Sequence, residues 1–197
     1  MRHPLLVASL AALALVASVA AAQTATRVRG TIVALDGKVL LVKSRDGRDL
    51  RIGLADTLNV AVAKAARFED IKDGDYLGVT TTKQTDGTSV AIEVHYLAPT
   101  VPEGQNPSDL QPGSTMTNAS VASKVVATGA RELTLRYKDG SHTIKVPDGT
   151  PIVRTVPGTR ADLVPGEYLF LAAQSAPDGT LTAARIQVSK DGVKPPQ

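Results

Sequence analysis

DIKDGDYLGVTTTKQTDGTSVAIEV, residues 70–94, and DLVPGEYLFLAAQSAPDGTLTAARI, residues 162–186, align without a gap at an offset of 92 positions. Asp70/Asp162, Gly74/Gly166, Tyr76/Tyr168, Leu77/Leu169, Asp86/Asp178, Gly87/Gly179, Thr88/Thr180 and Ala91/Ala183 coincide. Upstream, KVLLVKSRDG (38–47) matches RELTLRYKDG (131–140) at an offset of 93. Self-similarity at turn and core positions together marks an internal duplication. Between the copies, residues 99–115 read PTVPEGQNPSDLQPGST, a stretch with few apolar side chains and the composition of a linker.

Within each copy apolar residues recur at period two. Ile32 and Ala34, Leu40 and Val42, Leu50 with Ile52 and Leu54, Leu77 and Val79, and Ile92 with Val94 and Tyr96 follow this spacing, the signature of half-buried strands. Asp36-Gly37, Asp46-Gly47 and Asp86-Gly87 separate successive runs and suit two-residue hairpin turns. Residues 64–72 and 158–163 are the helical candidates, one per copy, each before the fourth strand. Five short strands with one helical turn predict an all-β chain of two tandem, antiparallel, five-stranded OB-like barrels. The expected boundaries are a signal segment at 1–22, barrels at 23–98 and 118–190, a Pro/Gly-rich linker at 99–117 and a tail at 191–197.

Composition narrows the function classes. There is no cysteine, which removes disulfide scaffolds, thiolate metal sites and thiol catalysis. Residues 5–22 form an unbroken apolar or small run after Arg2, with Ala20 and Ala22 placed as a cleavage site, so the segment reads as a cleavable export signal. The expected location is the periplasm or outside the cell, with no membrane span in the mature chain. The chain has 22 basic and 19 acidic residues, and removing the segment takes away only Arg2. This near balance, and aromatic content of 3%, argue against nucleic-acid partners, which need basic tracts and stacking platforms.

Candidate chemistry is sparse. No G-x-S-x-G, Walker loop or dinucleotide fingerprint occurs, so no enzyme activity and no cofactor is expected. Glu93 and His95 share a strand face and offer two metal ligands, and Asp70, Asp73 and Asp75 crowd one turn. Metal sites usually need three or four ligands, so His95 is expected to be solvated and the acidic turn to be a cap. A hydrolase would need His95 or His142 to meet a Ser and an Asp between the modules. Alternation places Lys43, Arg45 and Arg51 outward on strands two and three of the first copy, and Arg136, Lys138 and Lys145 outward in the second. These six residues are the candidate binding set.

The run RGTIVALDGKVLLVKSRDG (29–47), the GDY and GEY steps at 74–76 and 166–168, and the DGT hairpins resemble exported bacterial OB-like domains of unknown function. Similar whole-chain proteins are sometimes labelled metal ABC transporter permeases, but a permease needs several spanning helices. The resemblance implies a fold and a compartment without catalytic residues. The expected role is a non-enzymatic binding or accessory protein for an envelope protein, glycolipid or acidic polysaccharide, the alternative being a metal-associated periplasmic protein.

Overall fold

A computed structural model describes residues 24–127 and 130–196. The proposed export signal at 1–22 lies outside them. Twelve strands follow in order: β1 (Thr24–Asp36), β2 (Val39–Ser44), β3 (Asp49–Ala65), β4 (Tyr76–Lys83), β5 (Ser89–Tyr96), β6 (Gly104–Pro107), β7 (Thr115–Ala127), β8 (Ala130–Tyr137), β9 (Gly140–Lys145), β10 (Ile152–Pro157), β11 (Tyr168–Ser175) and β12 (Leu181–Val188). The helical candidates shrink to single 3-10 turns, Phe68–Asp70 and Arg160–Asp162. In the second of these, the Asp162 carboxylate accepts the Thr159 N–H at 2.8 Å. The Asp-Gly pairs at 46–47 and 86–87 do sit in turns, but not in the two-residue kind expected: only the glycines have positive φ, Gly47 at +87° and Gly87 at +84°, and the Ser44–Arg48 and Gln84–Thr88 backbone hydrogen bonds close three-residue loops.

The pairing of strands departs from a tandem arrangement. β1, β2 and β3 form an antiparallel meander. The ring that they begin is completed by β11 and β12 from the second copy: β1 pairs antiparallel with β11, and β3 runs parallel to β12. This is a closed five-stranded barrel. In the other direction β7, β8 and β9 of the second copy combine with β4 and β5 of the first. Their ring is completed at one parallel pair, Val90 with Lys145. Residues 23–98 therefore do not close on themselves, and neither do 118–190.

Each core consequently draws on both copies. In the first, Val28, Ile32, Leu40, Val42 and Ile52 pack with Leu169, Leu171, Ile186 and Val188. In the second, Phe68, Ile71, Leu77, Val79 and Val94 pack with Val121, Leu133, Leu135 and Ile144. Strand length explains the exchange. β3 has 17 residues, which at about 3.3 Å each outruns one small barrel and carries the chain toward its neighbour. Its last residues pair antiparallel with β10, and Ala63 sits opposite Thr155, its own counterpart 92 positions on. Ile152 opposite Val94 likewise repeats Val60 opposite Ile186. The two copies are thus related by a local two-fold relation at the β3–β10 pair, and that pairing also covers edges that would otherwise be exposed.

The linker is docked across both rings. Its β6 adds to β7, and Asp109 forms a two-pronged ion pair with Arg29 of β1, both N···O distances being 2.9 Å. Arg29 is only 7% exposed, and its guanidinium also lies 4.9 Å from the centre of the Phe170 ring. The tail is held too: Pro195 and Pro196 are buried.

Candidate functional site

The six candidate cations are all exposed. They lie on two separate surfaces, one on β2–β3 of the closed barrel and one on β8–β9 of the second ring. Inward Leu40, Val42 and Ile52 force Lys43 and Arg51 to the outer face, while Arg45 follows in the turn after β2. Inward Leu133, Leu135 and Ile144 do the same for Arg136 and Lys145, and Lys138 follows β8. Acidic groups moderate both surfaces. Lys43 Nζ pairs with Asp49 at 3.1 Å, and Lys145 stands opposite Glu132 in the ladder. Between exposed groups such pairing is weak and salt-sensitive, and the exposed Asp46, Asp49 and Asp139 carboxylates beside the cations offset part of the positive potential.

The acidic turn is a set of caps. Asp70 accepts the backbone N–H of Arg67 at 3.1 Å, and the Arg67 side chain holds its carboxyl down to about 2. Asp75 accepts the Lys72 N–H at 2.8 Å, and Asp73 is exposed in the same turn. Among the described residues no three His, Asp or Glu side chains gather as a metal-binding group.

His95 is a correction. Expected to be solvated, it is 7% exposed, and Glu93 beside it is equally buried. The strand-exchanged assembly accounts for this: β10 pairs with β5 at His95 and covers a face that a lone barrel would leave in water. His95 lies against Gly78, where an added Cβ would sit 2.5 Å from the imidazole Nε2, so the glycine makes the room. Its Nδ1 is 3.3 Å from Glu93 Oε1.

No protein-family model matches the chain, and no curated protein or solved structure matches it.

His142 does meet a serine from the other copy: its Nε2 is 2.7 Å from Ser89 Oγ, and its Nδ1 is 3.0 Å from Gln105 Nε2. Burial, with Lys83 nearby, pushes the imidazole down toward its neutral form. An amide N–H donated to Nδ1 leaves the proton on Nε2, which then donates to Ser89. A nucleophile needs the reverse, a base that accepts the serine proton, with a carboxylate behind it. The arrangement instead ties β5, β6 and β9 together at the seam of the second ring.

A further site was not legible in the sequence. A cleft of about 600 Å³ runs between the rings, lined by Arg29, His95, Tyr96, Arg185 and Gln187, with linker residues along its rim. Gln187 is the counterpart of His95 at the offset of 92, and the two enter the cleft from equivalent places on β12 and β5. Arg154 lies 4.4 Å from the centre of the Tyr96 ring, and burial pushes the phenol up from its ordinary value. Only the exchange of strands brings these side chains together.

Proposed function

We propose that the protein is an exported, non-enzymatic binding or accessory protein of the periplasm that holds anionic saccharides of the envelope on its outer basic faces. The observation that carries this reading is the repetition of an exposed cationic set on equivalent strand pairs, Lys43, Arg45 and Arg51 on one ring and Arg136, Lys138 and Lys145 on the other. Two patches in one chain act multivalently, so modest attraction at each becomes retention when both engage. Phosphate-bearing glycolipid and acidic polysaccharide present the same chemistry to these faces. Among the described residues no helix is long and apolar enough to cross a membrane.

A metal-associated role has weaker support, since Glu93 and His95 supply two ligands at most. The test is retention of tag-free protein on immobilised lipopolysaccharide and on immobilised polygalacturonate, at low and moderate salt. Replacing Lys43, Arg45 and Arg51 together by Glu should abolish retention and its salt dependence. Unchanged retention would remove these residues from the account, and capture of an envelope protein in place of either glycan would replace the saccharide reading.

A further inference from the structure

Arginines gather in the first copy at positions where the fold does not require them. In the ladders Arg29 and Arg27 of β1 stand opposite Phe170 and Ala172 of β11. The counterparts of those two at the offset of 92, Gly78 and Thr80 of β4, stand opposite Asn118 and Met116 of β7. Equivalent positions of the two rings thus hold arginines in one and uncharged side chains in the other. Arg48 likewise aligns with Ser141 at the offset of 93. Both rings build their cores, so folding does not account for the difference.

These arginines meet at one place. A pocket of about 110 Å³ at the rim of the closed barrel is lined by Arg27 and Arg29 of β1 and by Ser44, Arg45, Asp46 and Arg48 at the β2–β3 loop. The Arg45 N–H donates to the Arg29 carbonyl at 2.7 Å, which holds the loop against β1. Three of the four guanidinium groups are open to solvent: the side chains of Arg27 and Arg48 are 64% and 66% exposed, and Arg45 is exposed. The fourth, Arg29, is buried and engaged with Asp109. Asp46 is engaged within its own loop, one oxygen accepting from Ser44 and the other from Arg48 at 2.8 Å. Asp109 stands 3.6 Å from Arg27, beyond hydrogen-bond reach, and Arg45 forms no ion pair among the described residues. Four guanidinium groups against two carboxylates leave two positive charges in excess.

The accessible donors set the chemistry of what fits. A planar carboxylate fills one guanidinium fork, whereas the terminal oxygens of a tetrahedral oxyanion can serve several forks at once. A phosphate monoester carries about two negative charges at neutral pH, matching the excess, while a sulfate ester carries a single one. The pocket is well below the roughly 300 Å³ of a small-molecule site, so it holds the phosphoryl group and leaves the rest of the ligand in solvent.

We infer that the pocket between β1 and the β2–β3 loop binds a phosphate monoester, whose terminal oxygens accept from Arg27, Arg45 and Arg48. Because it includes Arg45, the pocket rests on the basic-face reading and narrows that reading to a phosphoryl group.

The probe is glucose 6-phosphate, titrated calorimetrically into tag-free protein, with glucose 6-sulfate as the control. Saturable one-to-one binding of the phosphate is expected, with the sulfate about tenfold weaker. Arg27→Ala and Arg48→Ala, both at exposed positions, should each weaken binding by about tenfold. Circular dichroism would establish that both variants are folded. Asp46 and Asp109 are held below the ordinary carboxylate value and the arginines stay charged, so the ligand's own second ionisation near pH 6 governs the pH dependence. Affinity should rise by about tenfold between about pH 5 and pH 7.5, as the dianion fraction does.

Phosphatidylcholine vesicles containing phosphatidic acid present the same group on a lipid. Co-sedimentation with them that both variants abolish would assign the pocket to a headgroup phosphate, and binding of the soluble ester alone would assign it to a free sugar phosphate. Lys43→Ala with Arg51→Ala removes the outer face and should leave glucose 6-phosphate binding within about twofold of the wild type. Loss of retention on lipopolysaccharide with glucose 6-phosphate binding intact would reject the multivalent faces and keep the pocket. No saturable binding at about 10 mM glucose 6-phosphate, or binding undiminished in both arginine variants, would overturn the pocket even where retention persists. Glucose 6-sulfate binding as tightly, with no rise in phosphate affinity from pH 5 to 7.5, would overturn the phosphate assignment.

Discussion

Asp109→Asn isolates the contact that clamps the linker to the closed barrel. The substitution keeps the shape of the side chain and one acceptor oxygen but removes the charge that faces Arg29. Arg29 has 6% of its side chain exposed and cannot turn to water, whereas Asp109 is 48% exposed, so its partner is partly solvated already. Loss of a charge-assisted pair, discounted for that exposure, should cost about 1.5–3 kcal/mol. For a chain of this size each kcal/mol moves Tm by about 2–4 °C, which puts the expected fall at roughly 3–12 °C. Thermal unfolding followed by far-ultraviolet circular dichroism measures it, and cleavage at the exposed Gln111–Gly113 turn reports release of the linker. The hydrogen bonds from Arg29 hold the Asp109 carboxyl below its ordinary value. Its contribution is therefore complete above the unfolded carboxylate pKa near 4 and is lost as pH falls through the lower folded value. The gap between wild type and variant should close in acid. Arg29→Met combined with Asp109→Asn should be more stable than Asp109→Asn alone, because no charge is then left buried without its partner. An unchanged Tm and unchanged proteolysis in Asp109→Asn would refute the clamp.

Other outcomes follow from the packing and the turns. Ile186→Ala, a change in the second copy, should cost about 2–5 kcal/mol and raise hydrogen exchange in β2 of the first copy, because Ile186 packs with Leu40 and Val42. Gly30→Ala should fail to fold or unfold well below the wild type, since a Cβ there would lie 2.3 Å from the backbone oxygen of Lys43. The Asp46 carboxyl, held down to about 2 by the side chains of Arg48 and Ser44, should titrate by NMR near that value and move up toward 4 in Arg48→Ala.

Much of the local structure is written plainly in the chain. The Asp-Gly pairs at 46–47 and 86–87 give turns, inward Leu40, Val42 and Ile52 give strands, and Asp70 and Asp162 cap the same short turn in both copies. The partnership of strands is not legible. Because both copies carry the same strand pattern, β11 and β12 satisfy the requirements of the first ring as well as β4 and β5 would. What decides between them is the continuity of β3 through Leu58–Ala65, where the alternation Val60-Ala61-Val62-Ala63 is compatible with strand or with the helical segment expected from 64 onward. The outer cations were legible because alternation alone places them. The cleft was not, since His95 and Gln187 become neighbours of one space only after the strands exchange, and neither carries a recognisable motif.

The exchange of strands holds the two copies together, and one cut tests it. A protease site inserted between Pro112 and Gly113, in an exposed turn, severs the linker while leaving Asp109 on one half and β7 on the other. Leu169, Leu171, Ile186 and Val188 of the second half are buried in the same core as β1, β2 and β3. At about 1.5–3 kcal/mol for each side chain, withdrawing these four forfeits roughly 6–12 kcal/mol, comparable with the stability of a whole domain. The cut protein should therefore migrate on size exclusion as a single species at the intact size, and its halves should part only when denaturant unfolds them. Two folded half-size species eluting separately in native buffer would contradict the exchange of strands and return the molecule to two independent barrels.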